Sequence, residues 1–243
     1  MQERAEATRR YLVEAAARLF EERGYAGTSI SDISAQSGRT SGAIYFHFSN
    51  KEKLALAVVT ATLDTWPAMI AEVRASPAPV LDKLVSLSFA VARAFRDDVV
   101  VRAGSRLWME RRAIDAPVPG PFGAWTETVT GLLREARESG ELAPGIAPDD
   151  AALTVVYAFF GLHTVSEAVD GRASIEERLR GMWEVLLPAL QAEPDPAALL
   201  DRVRASAPAD PADPAASDGD AGAAGTTGPA GVAAPAGPVP QPV

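Results

Sequence analysis

Cysteine is absent from the 243 residues, which excludes a disulfide framework, thiolate zinc sites, iron–sulfur clusters and a cysteine nucleophile. Histidine is scarce: His47 and His163 are the only two and lie far apart in sequence, so a His-rich metal site is not expected, nor any cofactor. No unbroken apolar run reaches the roughly 18–20 residues that span a bilayer. The N-terminal stretch MQERAEATRRYL mixes both charges and lacks the apolar segment of a secretion signal. The expected compartment is the cytoplasm, with no membrane partner. An excess of positive charge is missing as well. The net charge of −9 argues against nucleic acid until its distribution is considered. Residues 1–60 carry eight Lys/Arg against seven Asp/Glu, whereas residues 61–190 and 191–243 each sum to −5. Screening over roughly 8–10 Å lets a local basic face act despite a distant acidic body.

What is present is helical periodicity followed by a compositional break near residue 192. Residues 207–243 hold 12 Ala, 8 Pro and 6 Gly, with three Val as the only large apolar side chains. Such a segment cannot bury enough surface to offset its ordering entropy, so residues 192–243 are expected to form a disordered tail. A short helix at 196–205 is compatible with Pro196 at a first helical position. Upstream, Leu12, Ala16, Leu19 and Phe20 fall on one helix face that stops at Gly24. Ser29 opens a short helix ending at Gly38, and Thr40 caps another through Phe46. Ser49-Asn50-Lys51-Glu52 reads as a capping box for a long helix, with a bend expected at Trp66-Pro67. Further helical patterns cover about 80–96, 100–112, 121–139, 148–169 and 174–191. The expected fold class is all-α: a helix-turn-helix head at 1–50, a helical body at 51–191 and the tail.

The turn Ser37-Gly38-Arg39-Thr40 joins two short helices, and Gly38 supplies the positive φ that a steep turn needs. The helix after it begins with the small residues Ser41, Gly42 and Ala43, which let a helix N-terminus approach a DNA backbone. Tyr45 and His47 carry donors on the same helix, and Lys51 follows at a suitable place for a phosphate. Ile44 and Phe48 are expected to face the core. With Thr28, Ser29, Arg39 and Thr40, these residues form the candidate DNA-binding set. Read singly, His47 is equally a core-edge histidine, Arg39 a surface ion-pair partner and Lys51 an ordinary surface lysine.

GRTSGAIYFHFSNKEKL, residues 38–54, strongly resembles the DNA-binding head of the TetR family of repressors, and the resemblance reaches back through Arg9, Phe20, Gly24-Tyr25 and Thr28. It implies a homodimer, a C-terminal ligand-binding domain and a small-molecule inducer. Tyr45-Phe46-His47-Phe48, Ser105-Arg106-Leu107, Trp125 and Ala158-Phe159-Phe160-Gly161 are similar to the γ-butyrolactone receptor branch, over about residues 5–190. That branch senses signalling butyrolactones or related furans and butenolides and controls antibiotic production. The resemblance implies that Trp125 lines the ligand pocket, although its spacing alone favours core packing. Thr62 and Phe160 stand where the branch commonly has a glutamine and a threonine, and Ser41 where it often has a lysine. These departures put the ligand's identity in question and leave an antibiotic- or intermediate-sensing regulator as the alternative. Phe89, Leu107 and Val156 complete the candidate ligand-binding set. The stripe from Ile175 to Leu190, with Val155, Val156, Phe159, Leu162 and Val165 before it, is expected to form a four-helix dimer interface from the helices at 148–169 and 174–191. No catalytic residues are expected: there is no phosphate loop or metal-ligand spacing, and Glu110, Glu127, Glu135 and Glu138 read as solvated helix faces.

Overall fold

A computed structural model describes residues 2–207. Ten α-helices run in the order α1 Gln2–Arg23, α2 Ile30–Ser37, α3 Ser41–His47, α4 Lys51–Ala75, α5 Val80–Asp97, α6 Val99–Met109, α7 Phe122–Glu138, α8 Pro148–Asp170, α9 Ile175–Leu190 and α10 Pro196–Ser206. Among the described residues there is no strand, only an isolated antiparallel bridge between Leu142 and Gln191.

The head forms because its capping residues match its short helices. Ser29 caps α2 in a reciprocal box with Asp32. Gly38 ends that helix at φ 63°, a left-handed turn that a Cβ would strain. Thr40 Oγ1 accepts from Ala43 N at 3.2 Å and starts α3. The cap of α4 differs from the expected box. Asn50 is the N-cap and accepts from Lys53 N at 2.9 Å, while Glu52 accepts the Tyr25 hydroxyl at 2.9 Å. The fully buried Leu12, Phe20, Ile33, Ile44, Leu54 and Val58 make the head core. That core does not stop at residue 50: α4 passes through it, and Ala103 and Leu107 of α6 close it from the body side.

The body core is separate, built on Val85, Leu133, Ile175, Trp183 and Leu187 from α5, α7 and α9. Trp183 Nε1 donates to Ser88 Oγ at 2.8 Å, so the indole's one polar atom is satisfied inside the bundle. α4 continues through Pro67 as one helix. α4 and α8, at 25 and 23 residues, are long and apolar enough to cross a bilayer, contrary to the reading of uninterrupted runs alone. Here both are bundle helices, α4 packed on α1, α5 and α6, and α8 on α7 and α9.

The expected tail boundary at 192 falls inside the fold. α10 packs on α5 and α9, with Leu199, Leu200 and Val203 buried in the body core. Arg202 holds the buried Asp82 through two hydrogen bonds of 2.7 and 2.9 Å. Residues 208–243, the remainder of the expected tail, lie outside the described residues.

Candidate functional site

Two sites emerge, one on the head and one inside the body. On the head, α3 buries Ile44 and leaves Gly42 and Tyr45 exposed, with Ser41, Ala43 and His47 half-buried. Nothing but Thr40 Oγ1, at 3.9 Å, approaches the place a Cβ would take on Gly42, so this end of the helix is open to a large partner. Phe46 is 82% exposed and edge-on to His47, a residue the sequence reading did not single out. Arg39 is exposed, with its guanidinium over the Tyr11 ring, and its carbonyl accepts from Ser34. Ser29 is spent on its cap.

Two expected DNA contacts have other work. Thr28 is buried and its hydroxyl donates to the carbonyls of Leu19 and Gly24, tying the loop after α1 to that helix. Lys51 Nζ donates to the carbonyls of Tyr25 and Thr28, both at 3.0 Å, and lies 4.1 Å from the Tyr25 ring centre. It clasps the loop that positions α2. The partners of both residues are backbone oxygens, those of Lys51 more than twenty residues away, which no side-chain pattern announces.

In the body, a cavity of about 400 Å³ lies between α4, α6, α7 and α8, within the usual range of small-molecule sites. Its wall is an aromatic cage. Trp66 meets Trp125 edge-on at 5.5 Å and Phe95 at 5.8 Å, while Phe122 meets Phe160 at 4.7 Å and Trp108 at 4.8 Å. Of the sequence candidates, Trp125, Thr62 and Phe160 line this cavity. Val156 lines a smaller apolar recess of about 40 Å³ that shares Trp125 and Phe160 with it. Phe89 and Leu107 line neither: Phe89 packs on the body core, and Leu107 is fully buried in the head core. Thr62 is less available than expected, because its hydroxyl donates to the carbonyls of Val58 and Val100. It also touches α6 so closely that a Cβ on Gly104 would lie 2.7 Å from Thr62 Cβ.

The cavity's other end is charged. Arg102 pairs with the Glu21 carboxylate, and Arg106 donates to the Glu21 carbonyl and, at 3.0 Å, to Glu110. Glu110 in turn accepts from Tyr25 N at 2.7 Å. All four charged residues line the cavity, and their bonds hold the C-terminal end of α1. Deeper in, His163 is 3% exposed, its ring centre 3.9 Å from that of Phe95, with Nδ1 accepting from Arg172 Nε at 3.0 Å. Burial first, and the Arg172 cation second, push the imidazole down to about 3. It is neutral at physiological pH. Sequence reading missed Trp66, Phe95, Phe122, His163 and Arg172, whose spacing is that of ordinary core or surface positions.

Comparison with known proteins places the chain among bacterial regulators. Residues 12–58 match the family "Bacterial regulatory proteins, tetR family", and residues 78–192 match "Tetracyclin repressor-like, C-terminal domain". The chain is 36% identical over 189 residues to the A-factor receptor protein of Streptomyces griseus, covering 78% of this chain and 66% of that protein, just under two thirds of its length. A solved structure described as the molecular basis for control of antibiotic production by bacterial hormones is 42% identical, with TM-score 0.72, covering 76% of this chain and 98% of that one. The crystal structure of a γ-butyrolactone receptor, an ArpA-like protein, is 31% identical, with TM-score 0.69, covering 84% and 99%.

Proposed function

The chain belongs to the tetR family of bacterial regulatory proteins, and on that premise we propose that it is a homodimeric repressor released from operator DNA by a γ-butyrolactone or a related butenolide or furan, controlling secondary metabolism. It is a regulator and not an enzyme, and it acts where the DNA is, in the cytoplasm.

The observation that carries this reading is the position of α6. One helix contributes Ala103 and Leu107 to the head core and Arg102, Gly104 and Arg106 to the cavity wall. A ligand that changes the shape of the cavity therefore acts on a helix on which the head is built. α3 enters a major groove with Gly42, Tyr45, Phe46 and His47 toward the DNA, and Arg39 serves a phosphate. Two such heads reach successive grooves, about 34 Å apart, only when held by a dimer at the right spacing. Ligand binding favours a conformer with another spacing, and the shift is limited by the ligand's preference between the two states. A 100-fold preference supplies about 2.7 kcal/mol.

The dimer face we assign differs in detail from the sequence reading. Val155, Val156 and Phe159 turn inward, whereas Leu153, Tyr157, Val165 and Val169 form an exposed apolar stripe on α8, joined by Val185 on α9. Five large apolar side chains on two adjacent helices suit a four-helix contact between protomers.

The test is operator release. Purified protein is bound to DNA from its own upstream region, and a butyrolactone, a butenolide and pathway antibiotics are titrated separately. Release by a lactone or butenolide at sub-micromolar concentration is the expected outcome. Release by an antibiotic alone assigns the cavity to the alternative signal, and failure to bind a pseudo-palindromic operator sinks the repressor reading.

A further inference from the structure

Arg172 is the one non-glycine residue with positive φ, at 70°, among the described residues. A side chain in the left-handed region is strained, and such strain persists where its surroundings impose it. Here the strained turn after α8 delivers a guanidinium into the wall of the cavity, where Arg172 is only 6% exposed. Its Nη1 pairs with Glu167, at 2.5 Å, whose side chain is half in solvent, and its Nε donates to His163. Its guanidinium also lies over the Phe95 ring, 5.8 Å from Cζ to the ring centre. A turn needs no buried cation, and burying one with a single, half-exposed carboxylate partner is unfavourable.

The geometry between the two side chains is more specific. Because His163 Nδ1 accepts from Arg172 Nε, the neutral imidazole carries its proton on Nε2. Arg172 Nη2 lies 3.4 Å from that Nε2. Two N–H donors therefore sit side by side with no acceptor between them, in the wall of a cavity that also carries the aromatic rings and the paired Glu21, Arg102, Arg106 and Glu110. A carboxylate presents two acceptor oxygens on one planar group and forms charge-assisted bonds to such a pair. Trp125 and Phe160, the latter with its ring centre 6.3 Å from that of His163, lead into the small recess lined by Leu87, Val91, Val129 and Val155. That recess has no charged lining and suits a hydrocarbon chain.

We propose that His163 and Arg172 form an anchoring site for a carboxylate, and that the effector is an amphiphilic acid whose alkyl part lies against Trp125 and Phe160. This rests on the repressor reading and refines its ligand class. The carboxylate belongs to a ring acid or to the hydroxy acid formed by opening a lactone; both present the same group to the same donors.

The experiment compares matched probes on the full-length protein by isothermal titration and by operator release. 4-Hexylbenzoate is set against its methyl ester, and 4-hydroxydecanoate against the closed γ-decalactone. The expected result is at least about tenfold tighter binding of each acid than of its neutral partner, the scale of one charge-assisted contact. Arg172→Met reduces that ratio to near one while the ester's affinity changes by less than about threefold; a residue that merely held the turn would weaken acid and ester alike. Arg172→Lys keeps the charge and part of the preference, and the wild-type comparison stands if Arg172→Met does not fold. Acid preference confined to one pair identifies the source of the carboxylate. Equal or tighter binding of both neutral probes, or a ratio unchanged in Arg172→Met, overturns the anchor. If the neutral lactone nevertheless releases the operator, the repressor reading survives without it. If none of the four binds, the anchor falls with the cavity assignment, while operator binding is scored separately.

Discussion

A histidine that is neutral because it is buried leaves a mark on stability. The imidazole of His163 sits at about 3 in the folded chain against an ordinary value of 6.5. Below pH 6.5 the unfolded state takes up the proton first, so stability falls as pH drops from 6.5 toward 3, by up to about 1.4 kcal/mol per unit. Above pH 6.5 this group contributes no slope. His163→Gln removes the titration and leaves a carbonyl oxygen near Arg172. The expected outcome is a shallower loss of urea midpoint between pH 7 and pH 5 in the variant than in wild type. Parallel curves would mean that His163 is charged or solvated in the native state. Trp125, Thr62 and Phe160 were legible as cavity residues only through a family resemblance. By spacing alone each is a core residue. His163 was one of two histidines and still not legible, because its role depends on Arg172 across a left-handed turn. Residue patterns report which face is apolar, not which buried polar groups converge.

Short helices and terminal helices test the reading at the next scale. In α3, Ile44 is buried while Tyr45 and Phe46 point to solvent, so substitutions should separate cleanly. Tyr45→Ala or Phe46→Ala should weaken operator binding about tenfold or more with an unchanged melting temperature. Ile44→Ala should cost about 2–5 kcal/mol of stability, seen in the urea midpoint. Operator binding indifferent to both aromatic substitutions would remove α3 from the DNA. At the other end, α10 was nearly lost to composition. Its eleven residues precede an Ala/Pro/Gly-rich run, and only Leu199, Leu200 and Val203 reach the core. Three apolar residues are too few for periodicity to distinguish a docked helix from a solvated one, whereas packing on α5 and α9 settles it. A chain ending at residue 207 should keep the full-length melting temperature. One ending at residue 191 should lose several kcal/mol, because it uncovers α5 and leaves the buried Asp82 without Arg202. Equal melting temperatures for the two truncations would make α10 a bystander.

α6 contributes to both cores, Val101 to that of the body and Ala103 and Leu107 to that of the head, and on the proposed reading assembly decides whether a change in one reaches DNA. A single head offers a seven-residue α3 and a net charge near +1 over residues 1–60, while the chain as a whole carries a net charge of −9. Phosphate contacts supply most non-specific affinity, and an acidic protein gains little of it from one head. Two heads on one rigid dimer convert the second contact into an intramolecular one with a high effective concentration. On the proposed repressor reading, dimerisation is therefore a condition of operator binding by this chain. Of the stripe expected on α8, Val155, Val156 and Phe159 are buried, Leu162 is half-buried and Val165 is exposed. α8 is apolar on most of its circumference, and only the packing of α7 and α9 determines which apolar residues remain uncovered. Val165 is the informative position, 61% exposed in the stripe between Tyr157 and Val169. Val165→Glu places a carboxylate against its symmetry-related copy or another apolar side chain, and its desolvation opposes association. Sedimentation should then report a protomer of half the wild-type mass, circular dichroism an unchanged helix content, and gel shift a loss of operator binding of about a hundredfold or more. A monomer that still binds the operator tightly would refute the argument from avidity. A variant that stays dimeric would move the interface away from α8.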